Sequence, residues 1–194
     1  IPNVVGNPKH KGNECGGISH NTAHHWLTVL EASFIIFRLQ PHHKNFSKRM
    51  IKSPKIYFYD CGLLTWLLGI QNPQQLALHP MRAQIFETWV VSEVLKAQFN
   101  AARPSNIYFW RDRQGLEVDL LLDLGNKLLP IEIKSGQTPS THDYSTLARW
   151  KAIAKSLSLK PCLIYGGDEN QSRTDVDIFS WTHINALMKT RFKG

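Results

Sequence analysis

The sequence predicts an α/β fold in which a mixed sheet is flanked by helices and preceded by a partial winged-helix segment. Three observations predict it. Stretches with apolar residues at helical spacing alternate with short runs rich in β-branched and aromatic residues. Two of those runs, "EVDLLLD" and "KLLPIEIKS", carry charged pairs spaced by two, Glu117 with Asp119 and Glu132 with Lys134, and are joined by a Gly125-Asn126 turn. Near the start, a helical pattern, an apolar strand, a basic loop and a second strand follow one another, the order that closes a winged helix-turn-helix.

At 194 residues the chain can bury one ample core without disulfide or metal staples. Cys15, Cys61 and Cys162 are far apart and lack paired zinc-ligand spacing, so reduced thiols in a cytoplasmic protein are expected. No run approaches the roughly 18–20 apolar residues that span a bilayer, and the first residues lack a signal-peptide core, so no membrane partner is expected. The start at Ile1, followed by a stretch rich in glycine and proline, suggests a fragment of a longer protein. A net charge of +8 and a pI near 9.5 point to an anionic partner, with nucleic acid foremost.

The elements follow in order, with 1–54 as the winged-helix segment and 55–194 as the main domain. Ser19 or Asn21 caps a helix in which Ala23, Trp26, Leu27 and Leu30 form one face expected to be buried. Strands are expected at Phe34–Leu39 and Lys55–Asp60. From Ala32 to Tyr59 there is no acidic residue, and Lys44, Lys48, Arg49 and Lys52 lie on the loop between the strands as expected contacts for a phosphate backbone. The alternative is a solvated loop, or one that docks an acidic neighbour in the same parent protein. Asp60 caps a short helix, "CGLLTWLLG", apolar nearly all round and expected to lie buried between layers. A longer helix is expected over Met81–Phe99, with Ile85, Phe86, Trp89, Val90 and Val94 as its core stripe and Glu87 beside it.

Strands are then expected at Asn106–Asp112, Glu117–Asp123 and Lys127–Ser135. A helix over Tyr144–Leu157, the strands "PCLIYGG" and "VDIFS", and the closing helix "THINALMKTRF" follow them. Helices among strands in this order place helices on both faces of one sheet.

The charged groups are placed by strand parity. Glu132 and Lys134 project to one face of their strand, opposite Ile131 and Ile133, and Glu117 and Asp119 project together, opposite Val118 and Leu120. Pairing through the tight turn brings Asp119, Glu132 and Lys134 together, with Glu87 delivered by the long helix. Two carboxylates and an ammonium suit metal-assisted phosphodiester hydrolysis, because Mg²⁺ prefers carboxylate oxygens and offsets the charge that develops on phosphate. Asp119, Glu132 and Glu87 are the expected Mg²⁺ or Mn²⁺ ligands, and Lys134 the group that positions or activates the attacking water and stabilises the transition state. Glu-x-Lys alone more often reports cross-strand charge pairing, worth about 0.2–1 kcal/mol. The two charged strands and the acidic helix together carry the functional reading.

Asp119, then Glu132-Ile133-Lys134, after a Glu-bearing helix, resembles the PD-(D/E)xK nuclease superfamily, and implies a restriction-endonuclease-like sheet with Asp119, Glu132 and Lys134 on the motif positions. More narrowly, the stretch from "GISHNTAHHWL" to "DCGLLTWLLGI", then "IFETWVVSEVLK", "IYFWRDRQGLEVDLLL" and "PIEIKSG" resembles the C-terminal module, a domain of unknown function, of prokaryotic orphan AAA-type ATPases. That resemblance implies an upstream P-loop ATPase domain as partner in the parent chain. ATP would bind only there, because no G-x-x-x-x-G-K-[ST] occurs in this sequence. Arg82-Ala83-Gln84 departs from the pattern, where a glycine-containing turn is expected before the acidic helix.

Three readings follow. The chain is a DNA-directed module that cuts phosphodiester bonds, a nuclease-fold DNA-binding module without catalysis, or an interaction and homo-oligomerisation platform for the ATPase. His24, His25, His42 and His43 lack the i, i+4 spacing of helical metal ligands. Trp89, Trp110, Trp150 and Trp181 read as core or interface aromatics.

Overall fold

The computed structural model describes residues 14–15, 18–42 and 53–191. Strands β1 (Glu14–Cys15) and β2 (Ile18–Ser19) form a minimal antiparallel pair. Ser19 ends it and caps helix α1 (His20–Ala32) by accepting the Thr22 N–H at 3.1 Å. The apolar face expected to be buried on α1 is not buried: Trp26 is 53% exposed, and no residue of the helix counts as core. Helical periodicity marks an amphipathic face, but the described residues cover this one only in part, leaving Ala23 and Leu27 half-buried.

Strand β3 (Ile36–Leu39) pairs antiparallel with β4 (Lys55–Phe58), from Ile36 opposite Phe58 to Leu39 opposite Lys55. The hairpin thus straddles the expected division at residue 54. The basic loop with Lys44, Lys48, Arg49 and Lys52 lies outside the described residues. Asp60 caps α2 (Cys61–Leu67) through the Gly62 N–H at 2.6 Å, as its sequence suggests. The expectation that this helix lies between two layers is overturned, because Trp66 is 73% exposed and no residue of α2 is buried. Helix α3 (Pro73–Leu78), which the sequence reading missed, starts with Asn72 as cap and proline in its first turn. No helix among the described residues is long and apolar enough to cross a membrane.

Helix α4 (Arg82–Asn100) buries Ile85, Val90, Val91, Val94 and Leu95 against a six-stranded mixed sheet. Its first three strands are β5 (Ile107–Arg111), β6 (Glu117–Asp123) and β7 (Leu128–Lys134), antiparallel neighbours in a meander. Beyond them, β7 pairs in parallel with β8 (Cys162–Tyr165) and β8 with β10 (Asp177–Ser180), while the short β9 (Gln171–Ser172) closes the edge. Helix α5 (Ser145–Ala154) makes the crossover from β7 to β8, and α6 (Ile184–Arg191) closes the chain. The helix expected through Leu157 breaks at Lys155, whose φ of 50° leaves the right-handed region, and continues only as a 3₁₀ turn.

The two faces of the sheet bury separate clusters. On one face α4, α6 and the β3–β4 hairpin enclose Phe37, Leu39, Tyr57, Phe109, Leu120, Leu122, Ile131 and Ile133. On the other, α5 packs Leu147 and Trp150 against Trp110, Val118, Leu121 and Leu163, with the Trp110 and Trp150 rings 4.7 Å apart. Mixed strand order with a helix layer on each face is the α/β architecture expected from the sequence.

Strand parity holds along β7, where Ile131 and Ile133 join the α4-side cluster. It fails in β6. Tyr108 lies opposite Leu121 and Trp110 opposite Val118, so β6 carries one extra residue between those pairs. Leu120 therefore joins the α4-side cluster while Val118 joins the other, and the expectation that both oppose Asp119 is corrected. The bulge sits beside Asp119.

Candidate functional site

The β6–β7 ladder ends at Leu120 opposite Ile131. Asp119 comes next, and its carboxylate accepts the Ile133 N–H at 3.0 Å, occupying the gap where the two strands part. Across that gap Glu132 is 5% exposed, and its Oε1 accepts from Lys134 Nζ at 2.6 Å. Glu132 Oε2 is buried and has no hydrogen-bond partner. An unpartnered buried carboxylate oxygen is costly unless something else shares its charge.

A cavity of about 280 Å³ opens beside these groups, lined among others by Glu87, Asp119, Lys134, Asp143 and Tyr165, while Glu132 lies buried behind its wall. Ile133, a core residue, lines it as well. Helix α4 contributes Ala83, Gln84 and Glu87 from its first two turns. The departure at Arg82-Ala83-Gln84 has a structural use: Arg82 Nη2 donates to Ser135 O at 2.8 Å and ties the start of α4 to the segment just after Lys134. That segment is packed tightly. Gly166 N donates to both Lys134 O and Gly136 O, and a Cβ on Gly166 would lie 2.7 Å from Ser135 O.

The sequence reading missed two members of the site. Lys55 and Tyr57 stand on the same face of β4 and reach the acidic groups from the hairpin. Tyr57 Oη donates to Glu87 Oε1 at 2.6 Å, and Lys55 Nζ donates to the same oxygen at 3.0 Å. Lys55 also pairs with Glu117 Oε1, whose second oxygen lies 3.3 Å from Arg111 Nε. No local motif signals these contacts, because the strand that carries Lys55 arrives from a remote part of the chain.

Electrostatics follow from burial and crowding. Burial, then Glu132 and Glu87, push the Asp119 carboxyl up to about 8, against the opposing pull of Lys134 and the Ile133 N–H. The Glu132 carboxyl is also raised, chiefly by burial, with Lys134 opposing. Burial works against the Lys134 charge, yet its hydrogen bond and attraction to Glu132 outweigh that and raise its pKa. Lys55 behaves alike, with Glu87 and Glu117 overcoming burial. Both ammonium groups therefore stay charged at neutral pH.

The structure thus brings Asp119, Glu132 and Lys134 together, with Glu87 on the same cavity but held by Tyr57 and Lys55. Among the described residues no group of three or more His, Cys, Asp and Glu side chains is placed to hold a metal ion. Two carboxylates, one with an orphaned oxygen, nevertheless fit the donor set of Mg²⁺, which commonly takes one or two carboxylates and keeps water or substrate phosphate in its other positions.

The remaining polar residues sit apart. His42 is buried, with Nε2 2.9 Å from Asp123 Oδ2, His24 and His25 lie on exposed α1, and His43 is outside the described residues. Arg113 and Gln137 are exposed. Trp110 and Trp150 are core, while Trp89 and Trp181 meet edge to face at 5.1 Å beside a second, more apolar cavity.

Two family models match the chain. The family described as "Domain of unknown function (DUF4143)" matches residues 82–184, and that described as "Domain of unknown function (DUF8612)" matches residues 7–74. The chain is similar to the uncharacterized proteins Mb2031c of Mycobacterium bovis and Rv2008c of Mycobacterium tuberculosis. Each is 33% identical over 123 residues, which is 63% of this chain and 27% of the relative. The match spans about a quarter of the length of these relatives.

Proposed function

The chain belongs to the DUF4143 family, and we propose that its pocket is a PD-(D/E)xK-like site for metal-dependent cleavage of nucleic acid, DNA foremost, within a larger AAA-type ATPase. One observation carries the reading: Asp119 and Glu132 meet where β6 and β7 part, with Lys134 on Glu132 Oε1 and nothing on the buried Glu132 Oε2. An orphaned buried carboxylate oxygen is a cost that a charge pair serving structure alone does not offset.

In this reading Asp119 and Glu132 hold a Mg²⁺ or Mn²⁺ ion. When bound, that ion supplies Lewis-acid stabilisation of the phosphate and lowers the pKa of a coordinated water. Lys134, kept protonated by Glu132, does not act as a base. Its ammonium faces the cavity and offsets charge on the non-bridging phosphate oxygens. Glu87 orients the acidic cluster from α4, fixed by Tyr57 and Lys55. The Asp119 bond to Ile133 N–H holds its carboxylate in one orientation and limits the reorganisation a bound phosphate would require.

The net charge of +8 supports an anionic substrate, and the basic residues Lys44, Lys48, Arg49 and Lys52 are proposed to contact its backbone. An upstream ATPase domain is proposed as the partner that delivers the substrate. The test is cleavage of plasmid, linear duplex, single-stranded and branched DNA with Mg²⁺, Mn²⁺ or EDTA, comparing the native chain with Asp119→Asn and Lys134→Ala. Metal-dependent cutting lost in both variants is the expected result. Salt-sensitive DNA binding without cutting, in the chain and in its full-length parent with ATP, would instead select the non-catalytic binding module. Neither binding nor cutting would select the interaction platform.

A further inference from the structure

The two cations of the site are not equivalent. Lys134 belongs to the same strand as Glu132 and bonds one carboxylate. Lys55 comes from the β3–β4 hairpin and its Nζ reaches two, Glu87 Oε1 at 3.0 Å and Glu117 Oε1. Its side chain is only 25% exposed and lies with Nζ 5.5 Å from the Phe109 ring centroid. Asp119 adds to the attraction that raises the Lys55 pKa. Glu87 lines the cavity of Asp119 and Lys134, so one of the two carboxylates that Lys55 holds belongs to that cavity.

We propose that Lys55 is the resident counter-cation of this acidic pocket: a positioning residue whose ammonium occupies the Glu87 and Glu117 carboxylates and competes with an entering divalent cation for their charge. This rests on the reading of Asp119 and Glu132 as the ion-holding pair. Glu87, Glu117, Asp119 and Glu132 crowd around the gap, and burial already lifts the Asp119 and Glu132 carboxyls. The Lys55 ammonium, paired with both Glu87 and Glu117, is a second fixed positive charge beside that gap. That same charge repels a divalent ion and holds Glu87 out of its coordination. Tyr57, bonded to the same Glu87 oxygen, keeps the carboxylate in place if the ammonium withdraws.

The consequence is a site whose ion affinity is set by a residue outside the stretch that carries Asp119, Glu132 and Lys134. Lys55 lies within the 7–74 match, and its acidic partners lie within the 82–184 match. The position of the hairpin therefore tunes the ion site.

The experiment is Mn²⁺ binding by titration calorimetry to the native chain, Lys55→Met, Lys55→Arg, and Asp119→Asn. Lys55→Met keeps the aliphatic stem but removes the charge, and is expected to bind Mn²⁺ about tenfold tighter or more. Lys55→Arg retains the charge and is expected to stay near the native affinity. Asp119→Asn is expected to lose binding. Native-like or weaker affinity in Lys55→Met, with binding still sensitive to Asp119, overturns the role of Lys55 and leaves the nuclease-like reading standing. Binding indifferent to Asp119, or no binding by any form, overturns both. Should Lys55→Met fail to fold, ε-¹³C-lysine NMR of the native chain decides. The Lys55 resonance, assigned by its absence in Lys55→Arg, is expected to shift when diamagnetic Mg²⁺ is added, and an unmoved resonance under saturating Mg²⁺ overturns the competition.

Discussion

Asp119 accepts the Ile133 N–H at the point where the backbone ladder between their strands has ended, so a side chain completes what main chain no longer does. Asp119→Ala leaves that donor without its acceptor, whereas the amide oxygen of Asp119→Asn can still accept. The alanine variant is expected to be less stable than the asparagine variant by about 1–3 kcal/mol. Chemical denaturation of the two at one pH measures the difference, and equal midpoints would show that the hydrogen bond does not stabilise the gap.

The pH dependence has a definite sign. Burial first, then Glu132, raise the folded Asp119 carboxyl from 3.8 to about 8. Its protonated form is thus favoured by folding, and its contribution is fully present below the ordinary carboxylate range and lost as pH rises through about 8. Asp119→Asn should therefore be more stable than the native chain at pH 8, by about 2–8 °C in Tm for a gain of roughly 1–2 kcal/mol. Thermal melts at pH 5 and pH 8 test this, with a gap that widens at pH 8 expected.

Ion binding should run the other way. A cation requires ionised Asp119 and Glu132, whose carboxyls are both raised. Mn²⁺ affinity is expected to climb roughly tenfold or more between pH 6 and pH 8.5, with protons released on binding. Calorimetry in buffers of different ionisation enthalpy reads both quantities, and a flat profile would contradict the raised carboxyls.

Tyr57 is buried, and its hydroxyl is held by Glu87 at 2.6 Å, while its ring stacks on Phe37 at 5.7 Å. Tyr57→Phe preserves the ring contact and deletes the hydroxyl. A loss of about 1–2 kcal/mol is expected from urea denaturation, because Lys55 still satisfies the Glu87 oxygen.

Gly166 is a residue where one methyl group should do damage near the site. Its Cβ would meet Ser135 O at 2.7 Å and Gly136 O at 3.3 Å, both backbone atoms that cannot swing aside. Gly166→Ala is expected to cost about 1–3 kcal/mol and to shift the amide resonances of Lys134 to Gly136 in heteronuclear NMR. A native-like spectrum and midpoint would show that the β8 turn is looser than its contacts imply.

Much of this was legible in residue order. The bounds of β6 match the sequence reading, and β7 is one residue shorter at each end, because their alternation and the Gly125 turn, with φ of 84°, leave little freedom in pairing. Helix α4 was legible from its stripe, shifted by one residue at each end. Where the reading failed, the cause was context. Trp26 on α1 and Trp66 on α2 carry the periodicity of packed helices, but a pattern does not say whether a partner is present. Leu120 changed side because counting by twos assumes an unbroken pleat, and β6 is bulged. Lys55 and Tyr57 stayed hidden because their meeting with Glu87 and Glu117 depends on how a hairpin lies against a distant helix, which no local spacing encodes.

The docking of Phe37, Leu39 and Tyr57 into the cluster that α4 also covers has an evolutionary consequence. The stretches matched by two separate family models share one seam, so a lineage could not shed the earlier stretch without leaving the later one with a greasy flank and a misbalanced pocket. Mutations would then be filtered jointly on both sides. Covariation across the seam should be densest where atoms meet, at Tyr57 with Glu87 and Lys55 with Glu117.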